Sequence, residues 1–116
     1  MKTKLPRVAA VASLSLTMTA ASAQPSSVTN VHVINVVPDN AGVLVFFVDA
    51  TRSGAPACAA ADLTAWTVNT NTMAGQTQAS LLLTALSTGL RIDIGGVGTC
   101  DHLPNVEAAG FIAIHK

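Results

Sequence analysis

Leu81–Cys100, "LLLTALSTGLRIDIGGVGTC", decides the fold because its hydrophobic period changes once, at a glycine. Before Gly89, Ala79, Leu82, Leu83 and Leu86 recur at helical spacing, which predicts a helix with one apolar side. After it, Leu90, Ile92 and Ile94 alternate with Arg91 and Asp93, which is the period of a strand with one wet face. Gly89 suits the junction, since glycine accepts the left-handed conformation that commonly closes a helix. The "GGVG" at Gly95–Gly98 reads as a turn or bulge, and Cys100 ends the stretch.

Upstream, Pro, Gly and Asn cut the chain into short blocks. Val28–Val37 is rich in β-branched residues and runs into Pro38, Asp39, Asn40 and Gly42, a hairpin signal. The return strand, Val43–Val48, is apolar at every position, so protein is expected on both of its faces. Ala50–Asp62 reads as a loop fixed by Cys58. Leu63–Asn69 gives a third strand, in which Trp66 is the only large side chain. Asn71 or Thr72 is placed to cap the helix that follows. Glu107–His115 supplies the closing strand. The resulting order, β-β-β-α-β-β, is that of a small OB-like five-stranded barrel.

The first 23 residues differ in character from the rest. Lys2, Lys4 and Arg7 precede an apolar stretch that closes on Ala21-Ser22-Ala23, the layout of a secretory signal peptide with cleavage expected after Ala23. The stretch is too short and too rich in Ser and Thr to span a membrane stably. Residues 24–116 then form a single domain, led in by a flexible "QPSS", and the product is expected to be secreted or periplasmic. With the leader removed, three basic residues face six acidic ones. Nothing basic is clustered, so binding to a nucleic-acid backbone is not expected.

Both cysteines, Cys58 and Cys100, lie after the leader. An even pair in an exported chain is expected to form a disulfide. Neither belongs to a CxxC or sits among histidines, so a metal or redox role fits less well. Closing a loop of this size stabilises a fold by roughly 4 kcal/mol on the chain-entropy account.

The residues that carry chemistry are few. His32, His102 and His115 are scattered, with no metal-ligand spacing, and no serine stands in a nucleophile-elbow pattern. Neither an enzyme nor a bound cofactor or metal is expected. The Asp101-His102 pair reads as a solvated turn beside the disulfide, and His32 as a satisfied strand residue. Trp66 has two readings: a platform on which a sugar ring stacks, or core packing.

A cysteine in a loop, a strand, the helix "SLLLTALSTG", the alternating strand "LRIDIGGVGTC" and the closing "EAAGFIAI" together resemble small exported bacterial proteins. More distantly they resemble the B-subunits of AB-type toxins of the subtilase-cytotoxin and pertussis-like kind. That resemblance implies an OB-fold, assembly into a ring, and recognition of cell-surface glycans. The chain has no tyrosine and no sugar-binding motif that matches residue by residue. Two readings follow: an exported non-catalytic module that binds a glycan or protein and self-associates, and a periplasmic structural or inhibitory protein working through a protein–protein surface. Self-association also follows from the apolar outward residues of Val43–Val48 and from Phe111, unless the helix and loops cover them in a monomer.

Overall fold

The computed structural model describes residues 10–13, 15 and 26–116. Both ends of the expected leader and its cleavage site after Ala23 lie outside the described residues, as do Gln24 and Pro25 of the lead-in. The elements are β1 (Ser27–Val31), β2 (Val33–Pro38), β3 (Val43–Val48), β4 (Ala65–Asn69), α1 (Met73–Thr88), β5 (Arg91–Gly96) and β6 (Ala109–His115). Among the described residues the fold is mostly β with one α-helix. No helix among the described residues is long and apolar enough to cross a membrane.

The strand expected over Val28–Val37 is two strands. Asn30 takes a positive φ of 57°, a conformation that asparagine tolerates better than most residues. The Asp93 carboxylate accepts the Asn30 amide at 2.7 Å, and the Asp49 carboxylate accepts the His32 amide at 2.9 Å. The chain turns a corner between these two clamps. As a result β1 enters one three-stranded antiparallel sheet, ordered β1-β5-β6, and β2 enters another, ordered β2-β3-β4. Where the sequence suggests a small OB-like barrel of five strands, the described residues form six strands in two three-stranded sheets. A single parallel bridge, Thr67 with Ala108, joins β4 to the residues entering β6.

The hairpin forms where the turn residues place it. Asp39 Oδ1 accepts the amides of both Ala41 and Val43, and Gly42 supplies a positive φ of 86°. Pairing of Asn35, Val36 and Val37 with Phe47, Phe46 and Val45 follows from that turn. Leu44, Phe46 and Val48 of β3 face the core, where they meet Trp66, Val68, Ile92 and Ile94. The opposite face of β3 is less covered than its composition implies. Val43, Val45 and Phe47 are only half-buried, because α1 packs on β2, β4 and β6.

The helix starts and stops at the expected residues. Thr72 Oγ1 accepts the Gly75 amide at 3.0 Å, and Gly89 closes the last turn in the left-handed conformation, its amide bonded to Ala85 O. Its buried row is narrower than the leucines suggest: Gly75, Leu82 and Ala85 are buried, whereas Leu83 and Leu86 are exposed. Leu86 shares the helix's predicted apolar side with Leu82, yet it lies outside the core. Contact through one row, Ala79, Leu82 and Ala85, leaves the neighbouring row of Leu83 and Leu86 in solvent. The lead-in also differs, since Ser26 is buried and accepts the Gly96 amide, while Ser27 belongs to β1.

Candidate functional site

Two long connections, residues 49–64 between β3 and β4 and residues 97–108 between β5 and β6, are drawn together on one side of the fold. Cys58 and Cys100 bond them covalently. Beside the disulfide lies a second link. Arg52 of the first connection and Glu107 of the second form an ion pair at 2.9 Å, with both side chains fully buried. The remaining polar atoms of the pair are also used. Arg52 Nε donates to Leu63 O at 3.2 Å and Nη2 donates to Ala65 O, while Glu107 Oε2 accepts the Gly98 amide at 2.9 Å. Burial pulls the Arg52 guanidinium below its ordinary value, opposed by the Glu107 carboxylate beside it. Satisfaction of this kind is what an interior ion pair requires, since desolvation alone costs several kcal/mol per ion.

Trp66 belongs to the same cluster. Its side chain is fully buried, and the Arg52 guanidinium carbon lies 3.8 Å from the centre of its ring. The sugar-stacking reading of Trp66 is therefore corrected: Arg52 already occupies a ring face, and the residue has no exposed surface. Two glycines of β5 make room for neighbouring side chains, one of them in the cluster. A Cβ at Gly96 would collide with the Glu107 carboxylate, and one at Gly95 would collide with the Phe111 ring. The expected turn "GGVG" accordingly begins inside β5, with a bulge between Gly95 and Gly96, and turns only at Gly98, whose φ is 85°.

Next to this double clasp, the start of α1 and the 97–108 connection border an open cleft of about 230 Å³. Asn69, Thr72, Ala74, Gly75 and Gln78 form one wall, and Val97, His102, Ala109 and Gly110 form the other. Gln78 Nε2 donates across it to Gly110 O at 3.3 Å. His102 is half-buried here, while Asp101 stays exposed and accepts the Thr99 hydroxyl at 2.8 Å. The pair expected to be a solvated turn is thus divided, with its histidine in the cleft wall. The lining has no Asp, Glu, Lys or Arg. It offers amide, hydroxyl and imidazole groups beside small apolar surfaces, a composition suited to holding a polar ligand by hydrogen bonds.

The other two histidines sit elsewhere, each paired with an aspartate. His32 Nδ1 lies 3.0 Å from Asp49 Oδ2, and His115 Nε2 lies 3.0 Å from Asp93 Oδ1. Asp49 is held below the usual carboxylate value first by the His32 amide and then by the His32 ring. Asp93 is lowered first by the Asn30 amide, and in turn raises His115. Both pairs are partly exposed and brace the corner between β1 and β2. No group of three or more His, Cys, Asp or Glu among the described residues is placed to hold a metal ion.

Arg52 and Glu107 went unread in the sequence as partners. One signal was available: Glu107 is the only glutamate in the chain, and it stands in the apolar run "VEAAGFIAI" a few residues after Cys100. Compared with protein-family models, with curated proteins and with solved structures, the chain has no match.

Proposed function

We propose that the protein is an exported, non-catalytic recognition domain of OB-like architecture, similar in kind to a toxin B-subunit, that binds a glycan through the cleft beside its disulfide. One observation carries the reading. The cleft wall at 97–110 is held by the Cys58–Cys100 bond and by the buried Arg52–Glu107 pair, so a site open to solvent is built on fixed walls. Preorganisation of that kind lowers the ordering cost of binding. Support for the OB-like reading comes from the element order, from the corner at Asn30 that lets one N-terminal segment serve both sheets, and from the Thr67–Ala108 bridge between them. A glycan array probed with the oxidised, leader-free chain tests this. Selective binding is the expected result, and a blank array would overturn it.

A second reading, recognition through a protein surface including a second copy of the chain, is favoured by the sheet edges. Edge strands β2 and β6 contain no Asp, Glu, Lys or Arg, and expose Ile34 at 60%, Val37 at 46% and Phe111 at 58%. Uncharged, apolar edges of this kind are templates for pairing with another strand. Light scattering over a dilution series decides it: a homo-oligomer is expected, and the mass of one chain throughout would exclude self-association.

A further inference from the structure

We propose that the Cys58–Cys100 disulfide is an exchangeable bond, attacked at Cys58 by a dithiol, and that opening it frees the 100–106 part of the cleft wall while the buried Arg52–Glu107 pair keeps the fold. The proposal goes beyond the recognition reading. It concerns the state of the cleft and holds whatever ligand the cleft takes.

The two links between the long connections act at different depths. At its base the 97–108 connection is pinched: the Val97 amide donates to Ala108 O and the Ala108 amide to Thr99 O, both at 3.1 Å, and the Gly98 amide donates to Glu107 Oε2. Glu107 ties this base to the rest of the fold, through its ion pair with Arg52 and through its carbonyl, which accepts the Thr67 amide at 3.0 Å. Arg52, Thr67, Glu107 and Ala108 are all buried.

The tip is held differently. Among the described residues, the hydrogen bonds of 100–106 are local, from the Thr99 hydroxyl to Asp101 and from the Val106 amide to Leu103 O. Leu103 and Val106 are half-buried and lie outside the core. Cys100 is therefore the tip's bonded tie to the rest of the fold. Segments with few buried apolar contacts and few long-range hydrogen bonds are the ones that open locally without global unfolding.

The two ends of the disulfide also differ. Cys58 sits in a single 3₁₀ turn, Ala57–Ala59, anchored by the fully buried Ala59, whose amide donates to Pro56 O at 3.0 Å. Cys58 itself is exposed, whereas Cys100 is half-buried. Access is one determinant of which sulfur a thiolate attacks, so exchange begins at Cys58. The thiolate of a dithiol bonds to Cys58 Sγ, the Cys58–Cys100 bond breaks, and Cys100 leaves as a thiolate that takes a proton from water. The second thiol of the dithiol, deprotonated, then attacks the dithiol's own sulfur in the mixed disulfide and expels Cys58, which is protonated in turn. The dithiol is oxidised to a disulfide by two electrons, and the cysteine pair is reduced by the same two. Of the residues on this wall of the cleft, His102 lies in the tip, whereas Val97, Ala109 and Gly110 lie at or beyond the pinched base. Opening the bond withdraws the imidazole and leaves the other residues in place.

The test is backbone NMR relaxation of the oxidised, leader-free chain before and after treatment with dithiothreitol at neutral pH, with Trp66 fluorescence followed in the same samples. The order parameters of Asp101, His102, Leu103, Asn105 and Val106 should fall from about 0.85 to below about 0.6, while those of β3, β4 and β5 are kept and Trp66 stays buried. Cys58→Ser/Cys100→Ser should give the spectrum of the reduced protein. Brief exposure to glutathione, followed by acid quenching, alkylation and peptide mass spectrometry, should place the first mixed disulfide on Cys58. A tip whose order parameters do not change on reduction overturns the claim that the disulfide holds it. Loss of the folded spectrum with exposure of Trp66 overturns the claim that the ion pair keeps the fold. Glutathione found first on Cys100, or a bond that resists dithiothreitol in the folded protein, overturns exchange at Cys58.

Discussion

Glu107→Gln keeps the shape of the side chain that faces Arg52 and removes its charge. The guanidinium remains fully buried, with Leu63 O, Ala65 O and the Trp66 ring around it, but without a counter-charge. Breaking a buried ion pair from one side costs about 3–5 kcal/mol, a large part of a total stability of about 5–15 kcal/mol. Arg52→Met should lose a similar amount, because it strands the Glu107 carboxylate with only the Gly98 amide. With a urea dependence of about 1–3 kcal/mol per molar, either change moves the unfolding midpoint of the oxidised protein by about 2 M. The double variant Arg52→Met/Glu107→Gln should be less unstable than the sum of the two by about 0.5–3 kcal/mol, the range seen for residues in one network. If each single change moved the midpoint by less than the equivalent of about 0.5 kcal/mol, or if the two simply added, the pair would not be the buried, mutually dependent link described above.

Cys58→Ser should lower stability by about 2–5 kcal/mol and free one thiol, measured by urea unfolding and thiol titration. Leu82→Ala, at a fully buried position, should cost about 2–5 kcal/mol, whereas Leu86→Ala, at 41% exposure, should stay within about 1 kcal/mol of the parent; equal losses would mean that α1 is rotated from the orientation described. His115 has its pKa raised above 6.5 by Asp93. Its contribution is therefore fully present below pH 6.5 and fades as pH rises through the raised value, while the lowered pKa of Asp93 makes the carboxylate's contribution fade only at acid pH. His115→Gln should flatten the first of these slopes in thermal melts across neutral to mildly alkaline pH, and an unchanged profile would refute the pairing.

The parts of the fold legible in the sequence are those set by local chemistry. Gly89 and Thr72 bound the helix, Asp39 and Gly42 set the hairpin, and the period change at Leu90 opens β5, because each depends on a few neighbouring residues. The corner at Asn30 was harder to see. Its signal is one asparagine in a β-branched run, and the clamps that hold it, Asp49 and Asp93, lie 17 or more residues away from the amides they accept. Helix burial was misjudged for a related reason: the leucines define an apolar side, but the sheets beneath it accept only the row of Leu82 and Ala85. Trp66 illustrates the limit for the site. An aromatic ring reads alike whether it meets a ligand or an arginine, and the arginine lies 14 positions upstream. His102 was hidden in the same way, since only the folded position of α1 gives it a facing wall.

The central claim is that the oxidised domain recognises a glycan in the cleft between α1 and β6, and the most direct measurement compares the leader-free chain with Ala74→Trp on one glycan array under identical conditions. The account predicts selective binding by the parent and its loss in the variant, with matching thermal melts for the two proteins. Binding that survives in the variant, or a parent that binds no glycan, would contradict it.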